Sequence, residues 1–365
     1  MTPATCLLEV QNLRVSRGNV QILDIPSFHL GEREFVSLIG PNGSGKSTLL
    51  LSLMCLLKRD SGTIAFKGKG IDSHASVLDF RRRIAMVLQE PLLFDTTVQE
   101  NVASGLKIRG IGRSETRRRV EACLDRFNLT EMARRSARKL SGGEARRVSL
   151  ARAFAVEPDM IFFDEPFANL DAPTRQSLID DMGRIIRETG IATILVTHDP
   201  SEALRMSDRV LVMHGGKLVQ SGTPASVMSR PENGFVANFV GMDTIIEGVI
   251  RKNSDKLLSI SVGNHEIDAI GDFPPNEQVY CCIRPENVVV SLTNPADTSS
   301  TRNVFPARIT DIESLGPFLR VRMDCGFPLT SYLTYESFAK LGLAEGRDAF
   351  ASFKATAVHL IRKNQ

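Results

Sequence analysis

The run Gly40-Pro41-Asn42-Gly43-Ser44-Gly45-Lys46-Ser47-Thr48 fits the pattern GxxxxGK[ST] in full. Its chemistry is polyphosphate binding. Gly40, Gly43 and Gly45 let the backbone wrap an anion without Cβ clashes. The N–H groups of the loop, with the start of the next helix, form an anion nest. Lys46 brings a point charge to the β- and γ-phosphates, and Ser47 offers a hydroxyl to Mg²⁺. Asn42, Ser44 and Thr48 complete the loop. A second chemical element is Asp159-Met160-Ile161-Phe162-Phe163-Asp164-Glu165, an apolar run that ends in two acids. Buried strands disfavour charge, so carboxylates at such an end serve a ligand. In an open α/β sheet that end is where ligands bind. Asp164 is placed to hold Mg²⁺, directly or through water. Glu165, pointing to the other face by strand alternation, polarises an attacking water.

A third element narrows the class. Leu140-Ser141-Gly142-Gly143-Glu144 precedes Ala145-Arg146-Arg147-Val148-Ser149-Leu150-Ala151-Arg152-Ala153. Ser141, Gly142 and Gly143 open a helix with an apolar face, a second phosphate-seeking helix start. With this segment the chain resembles the ABC-type ATPase family, whose LSGGQ signature it matches at four of five positions. The resemblance covers residue 6 to about 232. It implies a P-loop NTPase (RecA-like) core with a helical subdomain, and ATP with Mg²⁺ as cofactors. It further implies a head-to-tail homodimer with two ATP molecules, each sandwiched between Lys46 of one chain and Ser141 of the other. Glu144 stands where glutamine is common; a carboxylate near phosphate is unfavourable, so it is expected to point away from the nucleotide.

The same resemblance assigns further roles. Gln89 matches the glutamine that senses Mg²⁺ and γ-phosphate. Asp171, after Leu170, matches the loop that crosses the dimer. His198, in Val196-Thr197-His198-Asp199, matches the switch histidine that aligns γ-phosphate and water. An aromatic that stacks on adenine is absent from Val15-Ser16-Arg17-Gly18; Arg17 can stack through its guanidinium plane.

The elements that must position these groups read as follows. Residues 1 to about 235 alternate short apolar runs with helical patterns, an α/β fold with a largely parallel sheet. Phe35–Ile39, Met160–Phe163 and Ala192–Val196 are strands, and an apolar helix from Thr48 to Leu57 follows the loop. A helical, Arg-rich subdomain spans about 90–152. Composition changes near 224–242, with a linker at 236–244. Residues 245–365 read as an all-β domain of OB-like barrel type, in which two similar halves each form one barrel-like lobe.

Six cysteines without metal spacing read as reduced and mostly buried. A net charge of +3 over 365 residues argues against a nucleic-acid partner. The runs Arg81–Arg83 and Arg117–Arg119 read as solvated faces. No signal pattern or membrane-spanning run is present, so a role at a membrane comes through a partner.

One cassette in the chain, without a coiled-coil insertion, favours transport over the soluble family members that act on nucleic acid or ribosomes. Leu92, Leu93 and Phe94 resemble the cleft where importer ATPases receive their membrane subunit. The expected partners are integral membrane permease subunits and an extracytoplasmic solute-binding protein, with the chain peripheral on the cytoplasmic face of the inner membrane. Residues 245–365 are similar to the molybdate- and tungstate-binding domain family through Ser300-Thr301-Arg302-Asn303 and Lys354-Ala355-Thr356. Arg302 and Lys354 supply positive charge there, and Ser300 and Thr356 supply donors for a tetrahedral oxyanion. An acid such as Asp311 is a competing partner for either cation. Sulfate, sugar and iron importers share the cassette and remain alternatives.

Overall fold

Phe35–Ile39 and Ala192–Thr197 are buried at every position, as expected of strands covered on both faces. They lie side by side in a six-stranded sheet of order Lys217–Gly222, Arg209–His214, Phe35–Ile39, Ala192–Thr197, Met160–Asp164, Ile84–Val87. All neighbours are parallel except the first pair. The computed structural model describes residues 6–295 and 300–363. The chain divides into two units, Met1–Pro224 and Ala225–Gln365.

In the first unit a second, four-stranded antiparallel sheet carries the long strands Cys6–Arg17 and Val20–Gly31. One core joins both sheets to Leu49, Leu50 and Leu53 of the helix Lys46–Leu53. Met160 and Phe162 point into it. Ile161 and Phe163 point into a second core, under the helices Val98–Ile108, Arg113–Arg126, Gly142–Ala155 and Ala172–Thr189. The period of two in a single strand therefore joins two hydrophobic layers. The helix after the phosphate loop stops at Leu53, short of the expected Leu57. Cys55 turns to φ 56°, and the N–H groups of Leu56 and Leu57 return to the Leu51 carbonyl.

Four arginines of the two runs are ion-paired. Arg118 and Arg119 both reach Glu115 at 2.6 Å, Arg117 reaches Glu121 at 2.9 Å, and Arg83 reaches Asp159 at 2.7 Å. All six cysteines are free thiols. Burial pushes those of Cys281, Cys282 and Cys325 up to about 12, out of the thiolate range.

In the second unit the expected linker 236–244 contains most of the helix Gly234–Phe239, with Val236 and Ala237 buried. Two five-stranded sheets follow, all antiparallel. The two halves repeat the same order of strands, the second adding the helix Tyr335–Leu341, yet they do not close as separate lobes. The last strand of the first half, Val289–Ser291, pairs with Asp348–Phe353 of the second. The last strand of the second, Val358–Arg362, pairs with Gln278–Ile283 of the first. One core runs through both. Exchanging final strands ties the two halves together through backbone pairing. Among the described residues no helix is long and apolar enough to cross a membrane.

Candidate active site

The phosphate loop links the C-terminal end of Phe35–Ile39 to the helix Lys46–Leu53. Gly40 has no room for a side chain: a Cβ would lie 2.3 Å from the Met213 carbonyl oxygen. Gly45 caps the helix at φ 104°, and a Cβ there would meet the Met213 side chain at 2.9 Å and that of Leu23 at 3.0 Å. Lys46 is buried, and its ammonium donates to the carbonyls of Gly40 at 2.9 Å and Pro41 at 3.0 Å. The lysine thus holds the loop in a ring. Burial depresses its pKa, while Glu165 and Asp164 favour the charged form. The Ser44 hydroxyl is buried with no hydrogen-bond partner. Leaving such a group unpaired is costly, and a phosphate oxygen satisfies it. Asn42 and Gly43 are exposed at the loop tip, and Thr48 is half-buried behind it.

The Ser47 hydroxyl donates to Asp164 Oδ1 at 3.2 Å, which brings together two of the three residues expected at Mg²⁺, Gln89 being the third. Burial raises the Asp164 pKa, and the neighbouring Glu165 charge adds to the rise. A divalent cation would relieve both effects. Hard oxygen donors, few in number, suit Mg²⁺, which keeps water and phosphate in its shell. Among the described residues no cluster of three or more His, Cys, Asp or Glu forms an all-protein metal cage.

Glu165 departs from the expected strand alternation. The strand ends at Asp164, and Glu165 takes φ 45°, its N–H donating to the Val196 carbonyl at 2.9 Å. A left-handed glutamate is strained, and such strain concentrates at functional sites. The turn sets its carboxylate 3.1 Å from His198 Nδ1, at the end of the adjacent strand Ala192–Thr197. The candidate base and the switch histidine are therefore one contact, built from two neighbouring strand ends. Gln89 is exposed just after Ile84–Val87, at the same end of the sheet.

Ser141 caps the helix Gly142–Ala155, its hydroxyl accepting from the Glu144 N–H at 3.3 Å. Glu144 sits at this helix start. It folds back to accept from the Ser141 N–H at 2.7 Å and pairs with Arg135 at 3.2 Å. The Ser141 backbone bond holds its carboxyl below the usual range. A capping box satisfies two orphan donors at once, which outweighs extension into solvent. Gly142 is exposed, whereas Gly143 packs close: a Cβ there would meet Thr174 at 2.9 Å. Asp171 caps the next helix, accepting from the Thr174 N–H at 3.0 Å. Arg17 ends the first strand, exposed beside Gly18 and the exposed Val20.

Sequence reading missed Arg146. It is buried, and it donates to the carbonyls of Leu88 and Gln89 and, at 3.2 Å, of Ala168. One guanidinium thus pins the Gln89 loop to the loop after Glu165. Its partners are all backbone carbonyls, which leave no residue-type signal in the sequence.

In the second unit Asn303 lies opposite Phe353 in the sheet, so Ser300–Asn303 and Lys354–Thr356 share one end of it. Ser300, Arg302, Lys354 and Thr356 are exposed, and Thr301 is half-buried. Arg302 faces Asp268 at 3.4 Å, while Asp311 pairs with Arg322. Asn303 is buried, and its amide serves the backbone: Oδ1 accepts from the Asp268 N–H at 2.7 Å and Nδ2 donates to the Asp268 carbonyl at 2.9 Å. Asn303→Ala strands both Asp268 groups, and a loss of about 1–3 kcal/mol in chemical denaturation is expected. An unchanged midpoint would contradict this structural role. Thr356 also lines a cavity of about 460 Å³ with Arg284, Asn287 and His359.

The fold and this loop define a P-loop nucleotide-binding protein. The comparisons identify its kind. A model described as "ABC transporter" matches residues 23–168, and one described as "TOBE domain" matches residues 299–360. The chain is 36% identical over 362 residues to the molybdate/tungstate import ATP-binding protein WtpC of Pyrococcus horikoshii, covering 97% of this chain and 99% of that one. It is 34% identical to the spermidine/putrescine import ATP-binding protein PotA of Treponema pallidum, covering 82% and 81%. A solved structure of cbiO1 from Clostridium perfringens, part of the ABC transporter complex cbiONQ, aligns at TM-score 0.59 and 29% identity, covering 66% of this chain and 96% of that one. The chain belongs to the ABC transporter ATP-binding proteins. It binds ATP, hydrolyses it, and carries a TOBE domain at its C-terminal end.

Proposed function

We propose that this chain energises import of an oxyanion, tungstate or molybdate, through a separate membrane permease. The carrying observation is the extent of the likeness. The match to the molybdate/tungstate importer subunit runs through 97% of the chain, C-terminal domain included, whereas the match to the polyamine importer subunit covers 82%. Residues 1–235 act as the ATPase, and 245–365 as an oxyanion-responsive domain.

In the reaction we assign Glu165 to orient and polarise the attacking water, with His198 aligning it against the γ-phosphate. Lys46 and the loop N–H groups neutralise charge on the transferring phosphoryl. Mg²⁺, held by Ser47 and Asp164 and sensed by Gln89, supplies further charge neutralisation when bound. Ser141 and Gly142 of a second copy close the site from the other side, with Asp171 at the crossing, and Arg17 stacks on the base. The two copies form a homodimer at the cytoplasmic face of the inner membrane, served by an extracytoplasmic binding protein.

The permease contact is a groove of about 470 Å³ lined by Leu78, Phe94, Ile108, Arg109 and Arg152. Phe94 and Ile108 are 53% and 80% exposed there, an apolar cost that a covering partner removes.

Calorimetric titration of the full chain with tungstate, molybdate and sulfate tests the substrate. Heat with tungstate and molybdate is expected, lost in the Arg302→Ala, Lys354→Ala double variant. Heat with sulfate alone, or with none of the three, would overturn the oxyanion assignment.

A further inference from the structure

The turn that carries His198 is held by charges that the ATPase chemistry does not use. Glu202 is buried, its side chain 5% exposed, and it accepts from the Thr197 hydroxyl. Arg175 donates to the same carboxylate from Nε at 3.1 Å and from Nη2 at 2.6 Å. Nη2 also donates to Asp199. The Asp199 N–H returns to the Thr197 hydroxyl at 3.0 Å, and Asp199 Oδ1 caps the next helix by accepting from the Ser201 N–H at 2.8 Å. Thr197, Asp199 and Glu202 thus form a closed ring around the His198 backbone, with Arg175 as its only cation among the described residues. The imidazole itself is 54% exposed, with the Glu165 carboxylate 3.1 Å from its Nδ1. The ring of hydrogen bonds holds the turn that carries it.

Arg175 stands one turn into the helix Ala172–Thr189, and its own N–H donates to the Asp171 carbonyl at 2.9 Å. One residue therefore touches the turn of the switch histidine through its side chain and the dimer-crossing residue through its backbone. We infer that Arg175 is a positioning residue for hydrolysis, tying the His198 turn to the helix start at Asp171 so that docking of a second copy there sets the histidine for reaction. The inference rests on the assignment of Glu165, His198 and Asp171 above.

The guanidinium fork suits the task because it reaches two carboxylates at once in a fixed plane, which lysine cannot do. It also neutralises Glu202. Burial raises the pKa of that carboxyl, and the Thr197 and Arg175 hydrogen bonds oppose the rise.

The test compares Arg175→Ala, Arg175→Lys and Asp199→Asn with His198→Ala in the full-length chain. Arg175→Ala is expected to lower kcat about 100-fold, the scale of an ångström's misplacement of a reacting group. ATP affinity should stay unchanged and the Hill coefficient for ATP should fall to one. Added guanidinium ion should restore part of the rate, and Arg175→Lys and Asp199→Asn should fall between Ala and wild type. Wild-type kcat and cooperativity in Arg175→Ala, beside an inactive His198→Ala, would overturn the link alone. A parallel loss of ATP affinity and melting temperature, without guanidinium rescue, would also overturn it, as a folding role only. Full turnover in His198→Ala would instead remove the site assignment on which the link rests.

Discussion

Glu165→Gln is expected to lower ATP turnover by about 100- to 10,000-fold, the range assigned to a lost general base. The substitution keeps the size of the side chain and a hydrogen-bonding group within reach of His198 Nδ1, which lies 3.1 Å away. What it removes is basicity and one negative charge. The charge matters separately, because Glu165 helps raise the pKa of the adjacent Asp164. Its loss favours the ionised Asp164 and reduces repulsion of a polyphosphate, so ATP affinity should hold or improve. Single-turnover hydrolysis and equilibrium nucleotide binding, measured on one preparation, check both halves. Undiminished turnover would remove Glu165 from the water.

Lys46→Ala should act on the opposite term. Nucleotide affinity is expected to fall by about 2–5 kcal/mol, the cost of truncating one side of a buried charge pair. The ammonium is the buried cation of the loop, bonded to the carbonyls of Gly40 and Pro41. Removing it takes away the charge that meets the phosphates and leaves those carbonyls facing each other. The same variant should therefore melt earlier than wild type even without nucleotide. Titration with a fluorescent ATP analogue and a thermal scan separate the two effects. Retained affinity would contradict the assignment of Lys46 to the phosphates.

The contrast between these residues and Arg175 shows what a sequence discloses. The phosphate loop lies within nine consecutive residues, and its glycines are needed locally, as the Gly40 contact with Met213 makes plain. Loop chemistry of that kind is readable from one string. The ends of the strands Met160–Asp164 and Ala192–Thr197 were also legible, because buried strands have a simple apolar pattern and chemistry gathers at their carboxyl ends.

The pairing of Glu165 with His198 was legible only as two separate expectations. A left-handed φ at a glutamate has no signature in residue type, and strand alternation put its carboxylate on the wrong path. The Glu144 carboxylate accepts from the start of its own helix, a contact that the expectation about the nucleotide did not include. Arg146 and Arg175 act on groups tens of residues away, several of them backbone carbonyls. The halves of the C-terminal domain could be matched in sequence, yet the exchange of their final strands depends on which edges lie free in three dimensions. Asn303 carries the same lesson. A motif assigned it to a ligand, while its amide is spent on the backbone of Asp268.

The proposed clamping of ATP between two copies explains why Lys46 and Ser141 each begin a helix suited to phosphate. Sedimentation of Glu165→Gln with saturating Mg-ATP measures this directly. A species of twice the chain mass that returns to single chains when nucleotide is removed is the predicted result. Single chains throughout, with wild-type turnover per chain undiminished on extreme dilution, would contradict it.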